Sequence, residues 1–119
     1  MEKNTGFKRI FYAGLYSFKG FKSALTNEVA FLQEFIAVIF FGGFSFLLDV
    51  SHYERLAMII SLVFVLIVEI LNSAIECVVD RISDEHHILS GRAKDYGSSA
   101  VFLSILIVIA VWAVILLTH

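Results

Sequence analysis

The chain has 119 residues, 59% of them hydrophobic, and a formal charge of −2; its mean hydropathy is +0.86. That composition excludes an ordinary soluble domain and points to lipid as the solvent, and 9 basic against 11 acidic residues give no ground for nucleic-acid binding. Proline is absent and Cys77 is the single cysteine, so long unbroken helices form readily, while an internal disulfide and a cysteine-based metal site are excluded.

At about residues 6–25, apolar Phe7, Ile10, Phe11, Leu15, Phe18, Phe21 and Leu25 recur at helical spacing, opposite Lys8, Arg9, Tyr12, Lys19, Lys22 and Ser23. The pattern predicts an amphipathic helix lying in the bilayer interface, phenylalanines down and lysines among anionic headgroups. A first transmembrane helix is expected at about 29–48, interrupted early by Gln33 and Glu34, a second at about 56–79, and a third at about 96–118 without a charged residue. Residues 80–95, with Ser90-Gly91 as a turn signal, read as the loop between the last two spans. Cys77, in an apolar run, is expected to serve packing alone.

The expectation is therefore one all-α membrane domain over residues 1–119. Five Lys and Arg precede the first span (Lys3, Lys8, Arg9, Lys19, Lys22), one lies in the first loop (Arg55), three lie in the second (Arg81, Arg92, Lys94) and none follows. By the positive-inside rule the N-terminus and second loop face the cytoplasm.

Carboxylates inside a span are costly, about 2.5 kcal/mol or more at its centre, and persist only with partners, water or a cation. Glu69, Asn72, Ser73, Glu76 and Asp80 fall at spacings of three and four, one polar stripe on an apolar rod, descending toward the basic loop. Glu28 and Glu34 lie at the same depth on the first span. Converging carboxylates suit a hard cation, and Mg²⁺ held by one or two carboxylates plus phosphate oxygens is the common arrangement. The plainer possibility is that these groups tie helices together by hydrogen bonds, which suffices for Ser73. It explains Glu69 and Glu76 poorly, since neutral amides would serve as well. Lys94 and the N-terminal basic residues supply charge for phosphates, whereas no Gly-rich Walker loop is present. The adjacent His86 and His87 read as a solvated loop rather than a metal site.

The stretch VEILNSAIECVVDRISDEHHILSGRAKDYGSSAV, from Val68 to Val101, closely resembles the prokaryotic diacylglycerol kinase family in its Gram-negative branch. The likeness runs through the whole chain, including NTGFKRI and NEVAFLQE, while related Gram-positive undecaprenol kinases share the N-[ST]-A-I-E core and the A-K-D triplet. The resemblance implies a homotrimer in the bacterial inner membrane, each protomer a surface helix plus three spans, with active sites between protomers. It implies ATP-dependent phosphorylation of diacylglycerol to phosphatidic acid, returning the lipid to phospholipid synthesis. Glu69 would take the proton from the diacylglycerol hydroxyl, and Glu28 and Glu76 would hold Mg²⁺. ATP would meet Arg9, Tyr16, Glu28, Glu76, Glu85, His86, His87, Lys94 and Asp95. The lipid would lie against Arg9, Ala13, Gly14, Ser17, Phe18, Phe31, Glu34, Glu69, Asn72 and Ser98. Two alternatives are an undecaprenol kinase and a small oligomeric ion or proton channel; a channel has no need of the Lys94-Asp95 pair beside a basic helix.

Overall fold

A computed structural model of the chain describes residues 6–82 and 87–118. These form four helices and no strand: α1 (Phe7–Asn27), α2 (Val29–Ser45), α3 (His52–Ile82) and α4 (Ile88–Leu117). Both α3 and α4 are long and apolar enough to cross a membrane. With 17 residues α2 reaches the lower end of what a span requires, and it meets α1 at a bend of 104°.

One residue makes that bend. Glu28 is extended (φ −114°, ψ 106°) and serves as the last cap of α1 and the first of α2. The elbow is closed by rings: Phe21 of α1 stands edge-on to Phe31 at 5.3 Å and to Phe35 at 5.5 Å. Behind them Ala24, Phe31 and Leu66 form the core, with Leu25, Phe35, Val38 and Ile70 packed against it. From Phe7 to Ser23, by contrast, every residue of α1 is exposed.

Among the described residues only seven apolar side chains are buried, whereas Phe40, Leu47, Ile60, Leu71, Phe102, Ile109 and many others are exposed. A soluble four-helix chain would hide such residues; outward-facing apolar rods fit a hydrocarbon solvent. Where α3 meets its neighbours it buries small and polar residues as well as apolar ones, among them Ser61, Asn72 and Ser73, and α4 contributes buried Gly97 and Ser104. Small side chains let helix backbones approach where no water drives them together.

The end of the bundle distant from the charged stripe is organised by Arg55. Its guanidinium donates to the carbonyls of Ser45 (3.0 Å), Leu48 (2.9 Å) and Val50 (3.5 Å) and lies 5.2 Å from the centre of the Phe46 ring. The last carbonyl of α2 and two carbonyls of the loop after it are thereby bound to one cation. α3 then starts on a capping box: Ser51 Oγ accepts from the Glu54 N–H at 3.1 Å, and Glu54 Oε1 accepts from the Ser51 N–H at 2.9 Å. One turn on, Trp112 of α4 donates its indole N–H to the Met58 carbonyl at 3.2 Å while standing edge-on to Phe41.

Three expectations from the sequence are corrected. Residues 80–95 are not one loop: α3 continues through Ile82, and α4 begins at Ile88, because His87 Nδ1 accepts from the Leu89 N–H at 3.0 Å and caps it. Ser90 and Gly91 therefore lie in the first turns of α4, where a glycine costs only about 1 kcal/mol against alanine. The helix expected at about 29–48 ends at Ser45, and Cys77 is exposed on the chain surface rather than packed.

Arg55→Met should remove all three carbonyl contacts and lower stability by about 2 kcal/mol, the order of a charged hydrogen-bonding group lost from a part-buried setting. Thermal unfolding in detergent micelles measures it, and Arg55→Lys should restore only part because it lacks the planar fork.

Candidate functional site

The polar stripe lies along one side of α3, as spacing demands, but its members differ in exposure. Glu69 is 6% exposed and Asn72 7%, whereas Glu76 and Asp80, one and two turns farther on, are open. The Asn72 amide joins them: Nδ2 donates to Glu76 Oε1 at 3.0 Å and, more weakly, to Glu69 Oε2 at 3.5 Å. One neutral donor thus sits between two acids that a helix alone would place only one above the other.

Three other elements bring groups to this row. From α2, Glu34 faces Glu69 closely enough for the carboxyls to act on each other, and Oε2 of Glu34 is buried with no hydrogen-bond partner. Carboxyl groups crowded in an apolar surround call for a donor, a cation or a proton between them. At the elbow, Glu28 Oε1 accepts from Cys77 Sγ at 3.8 Å, beside the residue that follows Glu76. From α4, Lys94 Nζ lies 2.7 Å from Asp80 Oδ1. The hydrogen bond and charge of Asp80, with a smaller contribution from Glu76, hold the Lys94 ammonium above the ordinary lysine range.

Glu28, Glu34, Glu69, Asn72, Glu76 and Lys94 are thus gathered around α3. Asp95 and Ser98 are exposed on the same turns of α4. Arg9, Ala13, Gly14, Tyr16, Ser17 and Phe18 are exposed along α1; Tyr16 stacks on Tyr12 with centroids 6.5 Å apart, and Ser17 Oγ donates to the Ala13 carbonyl at 2.9 Å. Phe31 is 1% exposed in the elbow core, so within one chain it backs the site rather than presenting a surface to a ligand. His87 caps α4, while Glu85 and His86 lie outside the described residues.

Among the described residues no three His, Cys, Asp or Glu side chains converge to hold a metal by themselves. The donor set suits a cation that shares its coordination with phosphate oxygens, since Glu28 and Glu76 are both carboxylates and flank the same stretch of α3.

Sequence reading had not singled out a cavity of roughly 230 Å³ between α2, α3 and α4, lined by Glu34, Val38, Phe41, Leu62, Val65 and Ile105 among others. Nor had it paired Asp80 with Lys94. Apolar periodicity marks faces as buried or lipid-facing without saying where two faces stand apart.

The family described as prokaryotic diacylglycerol kinase matches residues 15–116. The chain is 50% identical over 115 residues to the diacylglycerol kinase of Escherichia coli strain K12, covering 97% of this chain and 94% of that protein. It is 49% identical over 113 residues to the diacylglycerol kinase of Pseudomonas aeruginosa, covering 95% and 92%. With the diacylglycerol kinase of Haemophilus influenzae it shares 45% over 116 residues, 98% of each chain.

A raised lysine keeps its pairing at pH values below its ordinary pKa and loses it only as pH climbs through the raised one. Lys94 should therefore stay charged through neutral and mildly alkaline pH and titrate above the ordinary 10.5. The Cε chemical shift of Lys94 in micelles, followed against pH, checks this, and Asp80→Asn should move the midpoint down.

Proposed function

This chain belongs to the prokaryotic diacylglycerol kinase family, and we propose that it phosphorylates diacylglycerol from ATP at a site built around Glu69, Asn72 and Glu76. It is a lipid kinase, a phosphotransferase acting on an alcohol. The observation that carries the assignment of residues is the buried Glu69 carboxyl, joined through the Asn72 amide to Glu76 with Lys94 nearby on α4.

In the proposed reaction the diacylglycerol hydroxyl, held at headgroup level, gives its proton to a Glu69 carboxylate oxygen. Its oxygen bonds to the γ-phosphorus of ATP as the bond from that phosphorus to the bridging oxygen of ADP breaks. The products are phosphatidic acid and ADP. Burial keeps water from competing as acceptor, and the side chain's fixed place orients the hydroxyl; positioning and charge stabilisation are most of what phosphoryl transfer asks of a protein. Glu34, facing Glu69, helps shape the lipid side together with Ser98 and the exposed face of α1 from Ala13 to Phe18. Lys94, Asp95, Arg9 and Tyr16 meet the nucleotide, with Glu85, His86 and His87 at its edge. Glu28 and Glu76 hold Mg²⁺, which neutralises charge on the phosphates when bound.

The protein works in the bacterial inner membrane with its N-terminus in the cytoplasm, α1 on the bilayer surface, and three copies assembled. The basic residues before α2 and at the start of α4 support the orientation. The exposure of Glu76, Asp80 and Asp95 on a single chain supports an assembly in which another copy closes the site. Three relatives at 45–50% identity carry the name diacylglycerol kinase, and nothing comparable favours undecaprenol or an ion path.

Purified protein in micelles, given ATP with diacylglycerol and undecaprenol side by side, should form phosphatidic acid. Glu69→Gln should lower that rate by about 10³-fold, within the range for a lost general base. A Glu69→Gln protein within tenfold of wild type would remove Glu69 from the role of base.

A further inference from the structure

Among the described glycines, Gly97 stands apart. A methyl group added at Gly6, Gly14, Gly20, Gly42, Gly43 or Gly91 would meet nothing within 4 Å, whereas one at Gly97 would lie 2.0 Å from Asn72 Oδ1 and 3.0 Å from Asn72 Cγ. Gly97 is buried on α4, and the Asn72 amide fills the space its missing side chain leaves. Oδ1 of Asn72 is buried and has no hydrogen-bond partner of its own, so on that side of the amide it is packing against Gly97 that sets its place.

We propose that Gly97 is a positioning residue for the phosphoryl transfer, acting through the orientation of the Asn72 amide. The amide is planar and rigid, so Oδ1 and Nδ2 move together. With Oδ1 seated against Gly97, Nδ2 points back along α3 to Glu76 at 3.0 Å and Glu69 at 3.5 Å. A methyl group at position 97 displaces Oδ1, and the same rotation carries Nδ2 away from both carboxylates. Backing away as a whole is closed to Asn72, which has two side-chain torsions and is 7% exposed. α4 thus sets the geometry of a row of acids that lies entirely on α3. The proposal rests on the reading that Glu69 and Glu76 serve the transfer.

The test is a double-mutant cycle in micelles on wild type, Gly97→Ala, Asn72→Ala and the double variant. Turnover, the KM for each substrate and thermal unfolding are measured for all four. Gly97→Ala should lower kcat roughly 10- to 100-fold, the equivalent of one aligned hydrogen bond to a charged group, with the KM for diacylglycerol within about threefold. In the Asn72→Ala background the two closest atoms are gone, and the Cβ at position 72 lies at an ordinary 3.8 Å from the added methyl. There Gly97→Ala should change kcat by less than about twofold and leave the unfolding temperature unmoved. If Asn72→Ala falls below detection, the unfolding temperatures and the kcat of Gly97→Ala decide. If Gly97→Ala fails to fold, recovery of folding in the double variant supports the proposal.

Wild-type kcat in Gly97→Ala overturns it. So do equal losses in both backgrounds, or a double variant that fails to fold along with the single one. Failure of the functional reading is separate: it appears as retained activity in Glu69→Gln, whatever the cycle gives.

Discussion

The Asn72 amide occupies the point on which the arrangement of this protein turns. Glu69, buried on α3 with Glu34 facing it, would otherwise lack a neutral donor on its own helix, and an unmet carboxyl in an apolar surround is costly. The amide supplies a donor without adding charge, reaching Glu76 and Glu69 through Nδ2 while Oδ1 stands against Gly97 of α4. The absence of a side chain at Gly97 leaves the room for it.

The elbow at Glu28 is the second consequence. α1 does not continue the axis of α2, and Lys8, Arg9, Lys19 and Lys22 are exposed along it. One extended residue turns the chain by 104°, and the Phe21, Phe31 and Phe35 rings hold the turn from inside. The same residue brings its carboxylate against α3 at Cys77, the residue after Glu76. The chain changes direction at one position, and the acid found there belongs to the proposed metal site.

The two ends of the bundle divide the tasks. At one end Arg55, the Ser51–Glu54 box and the Trp112 indole satisfy backbone groups and fix how α2, α3 and α4 meet. At the other, side chains are left with capacity to spare: Oε2 of Glu34 has no hydrogen-bond partner, Glu76 is open, and Lys94 is about half exposed although paired with Asp80. A protein that anchors one end of its helices can leave unmet polar groups at the other, where substrates can meet them.

Composition and periodicity by themselves determined the apolar surround, the helical class and the polar stripe from Glu69 to Asp80, because each is a property of residue type and local spacing. The helix boundaries were less legible. Ser90-Gly91 looks like a turn until His87 is seen capping α4 before it, and Cys77 looks like core until its side of α3 is seen to be open. The Asn72–Gly97 fit, the Lys94–Asp80 pair, the Arg55 clasp and the cavity between α2, α3 and α4 were decided by tertiary structure alone. Each depends on the distance between residues far apart in the chain, a quantity that exists only once the helices have packed.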